Sequence, residues 1–198
     1  MMMHTSEFAD RIIRKYADDE ELRELLITHS ECVARKALDV AAECGLTAQI
    51  DPQFVWDASM LHDIGVVECD APSIHCHGKL PYICHGTAGA ALLRREGVGE
   101  RYCRVCERHT GSGLTAAEIE ERGLPLPLVD FLPETLEEKL ICYADKFFSK
   151  SGDPRQEKDL PRIIASMSKH GAAALERFMS LHNEFASRGE DSTVRKTE

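Results

Sequence analysis

Four residues of the 198-residue chain have side chains that bind metals and stand on helical faces that are otherwise apolar. They are His29, His62, Asp63 and Asp145. His29 precedes Val33 by four residues and Ala37 by eight, so all three should project from one buried face of a helix. Asp145 shares its helical sector with Ile141 and Phe148. We therefore expect these polar side chains to point inward.

A buried carboxylate without a partner costs several kcal/mol even after relaxation, so Asp63 and Asp145 need a cation or several hydrogen-bond donors. Taken singly, each histidine could be a satisfied core residue and each aspartate a member of a core ion pair. Taken together, two imidazoles and two carboxylates favour a divalent metal. Such a mixed nitrogen and oxygen set suits Fe, Mn, Zn or Ni better than calcium or a thiolate-type zinc site.

The elements that must position these residues are helices, because apolar residues recur with helical spacing along almost the whole chain. No segment alternates with the period of a half-buried strand. The sequence therefore predicts an all-α fold. Caps, glycines and prolines place the helices at about residues 6–17, 19–27, 29–44, 52–64, 83–96, 100–109, 116–122, 133–149, 161–169 and 172–187.

The adjacent pair His62 and Asp63 falls at the end of the helix that Asp51 and Pro52 begin. Residues 66–81, which contain two prolines and no clear period, are predicted to form a long loop bordering the site. We expect one domain over residues 1–188. The polar residues 189–198 are expected to form a disordered tail.

The bulk composition favours a small-molecule substrate. Lys and Arg number 24 against 34 Asp and Glu, and the resulting net charge of -10 argues against binding a nucleic acid polymer or an anionic membrane. No export signal or bilayer-length apolar run is visible, so we expect a cytoplasmic protein whose eight cysteines are reduced and mostly buried. The oligomeric state is left open.

The order of these residues resembles one known family. His29, then His62-Asp63-Ile64-Gly65, then Asp145 within Tyr-Ala-Asp-Lys-Phe, is similar to the HD superfamily of metal-dependent phosphohydrolases that carry a His-Asp-Ile-Gly signature. The resemblance runs from about His29 to Phe148. It implies an HD-domain helical bundle of about seven to nine helices, with His62 and Asp63 as catalytic residues.

Two further histidines extend the resemblance to members with two metals. His85 and His109 stand where those proteins add ligands between the His-Asp pair and the final aspartate. The implied site holds one or two divalent ions (Fe, Mn, Ni, Zn or Mg) on His29, His62, Asp63, His85, His109 and Asp145, with Asp63 bridging. The residues alone leave open that His85 caps a helix and that His109 is exposed at a helix end.

Two metals in such a site would clamp a phosphate and lower the pKa of a bridging water, which makes hydroxide available near neutral pH. Lys79, Thr110 and Lys146 are candidates for holding phosphate oxygens, although each of them could also be a solvated surface residue. The resemblance thus implies a phosphohydrolase or phosphodiesterase acting on a nucleotide or related small phosphate compound.

Two alternatives use the same ligand set. HD-fold oxygenases with two irons also bind their metals through four histidines and two aspartates, and the spacing does not exclude that activity. A non-catalytic HD domain that senses a nucleotide is the second alternative. The complete set of six ligands argues against the sensor, which has no evident need for all of them.

Overall fold

The computed structural model describes residues 6–195, with side chains as far as residue 189. Within that range the chain forms nine α-helices and confirms the predicted all-α fold. The helices are α1 Glu7–Tyr16, α2 Glu20–Glu43, α3 Pro52–Leu61, α4 His85–Arg95, α5 Glu100–Arg108, α6 Ala116–Glu121, α7 Leu136–Asp145, α8 Leu160–Ser168 and α9 Ala172–Arg195. None of the helices in residues 6–195 combines the length and apolar character needed to cross a bilayer.

Short polar side chains set most of the helix starts. Asp51 accepts a hydrogen bond from the backbone N–H of Phe54 at 3.1 Å, and proline follows it at the first helical position. Thr115 and Glu118 form the capping box expected from their spacing. These starts could be predicted because a cap satisfies backbone N–H groups that the helix itself leaves unpaired.

Several predicted helix boundaries were wrong, among them the end of α7, which lies at Asp145 rather than at about residue 149. The segments 19–27 and 29–44 form the single helix α2, since no glycine or proline separates them. Helix α7 begins at Leu136 rather than at Pro133, because Thr135 and Glu138 form a second capping box there. Helix α9 continues through Gly189 to Arg195, since one glycine weakens a helix without ending it. Residues 196–198 of the expected tail lie outside the described residues.

The loop predicted over residues 66–81 contains short ordered pieces. Two 3₁₀ helices, Ile64–Glu68 and Pro72–Ile74, accompany a hairpin in which β1 Asp70–Ala71 pairs antiparallel with β2 Cys76–His77. Strands of two residues are too short to show the alternation by which a strand is recognised in a sequence.

Helix α2 lies between two hydrophobic cores. Val33 belongs to a core that α2 shares with α3, α7, α8 and α9, including the fully buried Phe178. Leu26 belongs to a second core with α1, α3, α4 and α5. His29 stands between Leu26 and Val33 on this helix and lies where the two cores meet, which places a polar side chain deep in the molecule.

Candidate metal centre

Six side chains from five helices converge at the boundary of the two cores. His29 comes from the middle of α2, the His62-Asp63 pair follows α3, His85 opens α4, His109 follows α5 and Asp145 ends α7. Each is at most 9% exposed. The structure therefore brings together all six residues that the resemblance implies as ligands, and His109 is buried rather than exposed at its helix end.

The carboxylate of Asp63 lies between two pairs of histidines. Its Oδ2 is 3.3 Å from Nε2 of His29 and 3.0 Å from Nε2 of His62. Its Oδ1 is 3.5 Å from Nε2 of His85 and 3.3 Å from Nε2 of His109. Asp145 joins the first pair, with Oδ1 3.0 Å from His29 and 3.5 Å from His62. The cluster thus forms two adjoining sets of ligand atoms that share Asp63.

Backbone carbonyls orient three of the four imidazoles. Nδ1–H of His62 donates to Ser59 at 2.5 Å, that of His85 to Tyr82 at 2.7 Å and that of His109 to Cys106 at 2.8 Å. Each acceptor lies three residues earlier in the chain, and two of them lie in the last turn of a helix, where carbonyls have no intrahelical partner. A proton on Nδ1 leaves the Nε2 lone pair pointing into the cluster, as a metal ligand requires.

Several buried nitrogen and oxygen atoms of the cluster lack a hydrogen-bond donor among the described residues, and a cation would supply what they lack. Nε2 of His85 and Nε2 of His109 are 3.0 Å apart, and both carry lone pairs when Nδ1 holds the proton. Nε2 of His62 and Oδ1 of Asp63 are buried without a hydrogen-bond partner among the described residues. Buried polar atoms are normally paired. A divalent ion in each ligand set would satisfy them, so the residues fit a metal centre.

Burial and charge act in opposite directions on the ionisable groups. Burial disfavours a charged Asp63, yet neighbouring His62 and Lys150 hold the pKa of that carboxyl well below its usual range. Burial likewise lowers the pKa of His62, but the charges of Asp63 and Asp145 outweigh it and raise the value to about 9. Burial and His109 lower the pKa of His85 to about 3. His62 and His85 therefore differ in their affinity for protons when no metal is bound.

Two lysines place a positive charge beside each of the two aspartates of the cluster. Nζ of Lys146 is 2.6 Å from Oδ2 of Asp145 and donates to the carbonyl of His109 at 3.0 Å. Nζ of Lys150 is 2.5 Å from Oδ2 of Asp63. Sequence reasoning singled out Lys146 but missed Lys150, because Lys150 follows the end of α7, where helical periodicity no longer predicts the direction of a side chain.

A cavity of about 660 Å³ opens onto one side of the cluster. His85, His109 and Asp145 line it, whereas the other three side chains of the cluster do not. Among the expected phosphate contacts, Thr110 and Lys146 line the cavity, but Lys79 is exposed on its loop and does not. Sequence reasoning also missed Tyr82, which lines the cavity and stacks on His85 with ring centroids 4.8 Å apart.

The 66–81 loop contributes part of the cavity wall through Ala71, Ser73 and Ile74. The opposite wall includes residues from α8 and α9, among them Ile163, Met167 and Ala174. The segment between His109 and α6 is tied to α9, since Ser112 donates to the carbonyl of Ala174 at 2.6 Å. The loop, the C-terminal helices and three side chains of the cluster thus all contribute to the lining of the cavity.

A family model of the HD domain matches residues 26–149, a range that includes all six clustered side chains. The chain is 33% identical over 168 residues to a tRNA (cytidine(56)-2'-O)-methyltransferase of Picrophilus torridus, which covers 85% of this chain and 43% of that protein. It is 32% identical over 158 residues to the protein of the same name in Thermoplasma volcanium, covering 79% of this chain and 40% of that protein. An uncharacterised protein of Methanocaldococcus jannaschii is 37% identical over 123 residues, 62% of this chain and 65% of that protein.

The chain therefore spans less than half the length of the two curated methyltransferases that it matches. No solved structure matches it at a comparable level of significance.

Proposed function

Since the chain belongs to the HD-domain family, we propose that it is a metal-dependent phosphohydrolase or phosphodiesterase acting on a nucleotide or related small phosphate compound. One observation carries the proposal: the two oxygens of Asp63 face different histidine pairs, as a carboxylate shared by two ions would. His29, His62, Asp63 and Asp145 would hold one ion. His85, His109 and the same Asp63 would hold the other.

The divalent ions, drawn from Fe, Mn, Ni, Zn and Mg, would polarise a phosphate oxygen and lower the pKa of a nearby water. The residues of the chain supply the rest. Asp63 and Asp145 stay ionised in a buried site because cationic groups surround them. In the hydrolysis, water gives up a proton as its oxygen forms a new bond to phosphorus, the bond to the leaving oxygen breaks, and the leaving oxygen takes up a proton.

Substrate binding is assigned to the cavity in front of the cluster. Its volume of about 660 Å³ lies in the range of small-molecule sites. Lys146 and Thr110 lie on its wall beside the ligands Asp145 and His109 and would bind phosphate oxygens. Apolar residues of the wall would contact the organic part of the substrate, namely Ile83, Leu114, Phe148 and Met167.

The methyl transfer to tRNA in the names of two relatives is not carried over to this chain, because the chain spans less than half of those proteins. The net charge of -10 supports a small-molecule substrate over a nucleic acid polymer. The ligand set also matches that of a two-iron oxygenase, and that activity is the main competing outcome of the test.

The test is turnover of a panel of nucleotides and simple phosphate esters by protein loaded with Mn, Ni, Mg or Fe, with and without oxygen. We expect phosphate release that does not depend on oxygen and that Asp63→Asn abolishes. Oxygen consumption coupled to oxidation of an organic compound would replace the hydrolase with an oxygenase. Tight nucleotide binding without turnover under every metal would identify a sensor instead.

A further inference from the structure

The cavity in front of the metal centre is basic in an acidic protein. Four cations line it, Arg122, Lys146, Lys150 and Lys158, together with the side chain of His170. Among the described residues, the metal ligand Asp145 is the one carboxylate in the lining. The whole chain carries ten more acidic than basic side chains, so this concentration of positive charge is local. It marks the surface on which an anion would bind.

The lining cations fall into two groups. Lys146 and Lys150 form ion pairs with Asp145 and Asp63, so each shares its charge with a carboxylate of the centre. Across the described residues, no carboxylate lies within ion-pair distance of Arg122 or of the half-buried Lys158. The charges of the second group therefore remain available to a ligand.

The chain holds Lys158 in place by its backbone and by its neighbour. The N–H of Lys158 donates to the carbonyl of Phe147 at 2.7 Å. The preceding Glu157 pairs with Lys36 of α2 at 2.6 Å. Lys158 thus projects into the cavity from a segment that is fixed on the same helix as His29.

The cations without an ion pair among the described residues, Arg122 and Lys158, line the same cavity as Lys146 and Lys150, so their positive charges add. Burial lowers the pKa of Lys158, and the charges of Lys146 and Lys150 lower it further against the opposing effect of Asp145. Burial also lowers the pKa of His170, as do Lys146, Arg122 and Lys169. A bound anion would relieve this repulsion between like charges. The positive charges around Lys158 and His170 therefore favour a ligand with more than one negative charge.

We propose that Arg122, Lys158 and His170 form a second anion subsite in the lining of the cavity, which binds a phosphate group other than the one that is hydrolysed. The preferred substrate then carries at least two phosphate groups. This inference rests on the proposed hydrolase function, since the first phosphate is the one placed at the metal centre.

The test compares two probes by calorimetry on Mn-loaded protein: orthophosphate, and the bismethylene analogue of tripolyphosphate, whose P–C bonds resist hydrolysis. We expect the longer probe to bind at least about tenfold more tightly than orthophosphate. Lys158→Gln and Arg122→Gln should each weaken the longer probe by about tenfold and orthophosphate by less than about twofold. Lys158→Arg should restore most of the loss.

Arg11→Gln is the matched control, because Arg11 is an exposed cation of α1 that does not line the cavity. It should change neither affinity by more than about twofold. If the control loses as much affinity for the longer probe, the effect depends only on the net charge of the protein, and the subsite proposal is wrong. An equal loss of both probes in Lys158→Gln would also overturn it.

Hydrolysis of para-nitrophenyl phosphate, which has a single phosphate group, separates the two proposals. If the protein hydrolyses this ester but the longer probe gains no affinity, the subsite is wrong and the hydrolase stands. If no metal supports hydrolysis of any phosphate compound, the hydrolase proposal is wrong, whatever the probes show.

Discussion

The carboxylate of Asp63 faces two pairs of histidines, and each of its oxygens belongs to a different pair. A neutral amide of the same shape would lack the charge that two ions would share at this position. We therefore expect Asp63→Asn to lose both equivalents of metal after dialysis. His109→Ala should lose one equivalent, because the first ligand set does not use that residue. Elemental analysis of the dialysed proteins measures both values.

Asp70→Asn and His77→Ala are the matched controls, since both residues are exposed on the hairpin and belong to neither ligand set. Both controls should keep the metal content of the parent protein. Full metal content in Asp63→Asn would show that the carboxylate does not bridge. Loss of both equivalents in His109→Ala would show that the two ions bind as one unit.

At the residue scale, the sequence predicted the buried cluster better than the residues that line the cavity. The clustered side chains stand on apolar helical faces, as His29 does beside Val33, and burial of a polar residue on such a face can be recognised by its spacing. Lys79 and Lys150 both lie outside the helices, where spacing carries no directional information. Consequently the sequence could not distinguish the exposed Lys79 from Lys150, which pairs with Asp63.

At the scale of elements, the contact between the 3₁₀ helix Ile64–Glu68 and helix α4 requires a glycine. A Cβ on Gly65 would lie 2.0 Å from the carbonyl oxygen of His85 and 2.2 Å from the backbone nitrogen of Gly89. Gly65→Ala must therefore separate the two elements and move His85. We expect it to lower the free energy of unfolding by about 2 to 3 kcal/mol, measured by urea denaturation, and to weaken metal binding.

Gly189→Ala is the control, and its expected effect on the free energy of unfolding has the opposite sign. A Cβ at this position would meet nothing within 4 Å, and the residue lies inside α9. Alanine should stabilise the protein by about 0.5 to 1 kcal/mol, because it has the higher helix propensity. A destabilised Gly189→Ala would contradict the continuation of α9 beyond this residue, and an unaffected Gly65→Ala would contradict the close packing of α4.

Ion pairs between α5 and the residues before α7 predict a specific response to acid. Arg108 and Arg104 donate to the exposed Glu134 and lower its pKa to about 2. The folded protein thus holds this carboxyl ionised over a range in which the unfolded chain, with a pKa near 4.5, is protonated. The contribution is fully present above about pH 4.5 and is lost as the pH falls towards 2.

Glu134→Gln should therefore reduce stability near neutral pH, and its difference from the parent should shrink as the pH falls from about 4.5 to 2. Thermal melts across that range measure the difference. Glu121→Gln, at the end of α6, removes an exposed carboxylate that forms no ion pair among the described residues and should show no such convergence. A constant difference between Glu134→Gln and the parent would rule out the ion pairs as its cause.

The helices could be predicted from the sequence where a capping side chain defines the first residue of the helix. The caps at Asp51 and Thr115 appear as short sequence patterns, and both helices begin there. The hairpin of residues 70–77 was not predictable, since it depends on backbone contacts such as the one from Gly78 to Cys69 at 2.8 Å. The depth of the cavity depends on how α8 and α9 pack, and sequence periodicity does not report packing between distant helices.

At the scale of the whole molecule, burial accounts for the state of most of the cysteines. All eight are free thiols, and seven of them are buried. Cys32 alone is partly exposed. Burial raises the pKa of Cys142 to about 11 and that of Cys76 to about 11. The buried thiols of the native protein therefore form little thiolate, and reagents reach these thiols only when the structure around them opens.

We expect a thiol-reactive aromatic disulfide at mildly alkaline pH to modify one cysteine rapidly in the native protein and all eight in guanidinium chloride. Cys32→Ser should remove the rapid phase and leave seven reactive thiols after denaturation. The slow modification of the others should follow the rate at which the cores open, because reaction requires their exposure. Rapid reaction of several thiols in Cys32→Ser would mean that the cores are open in solution. Fewer than eight thiols in the denatured parent, measured without reductant, would mean that some are paired.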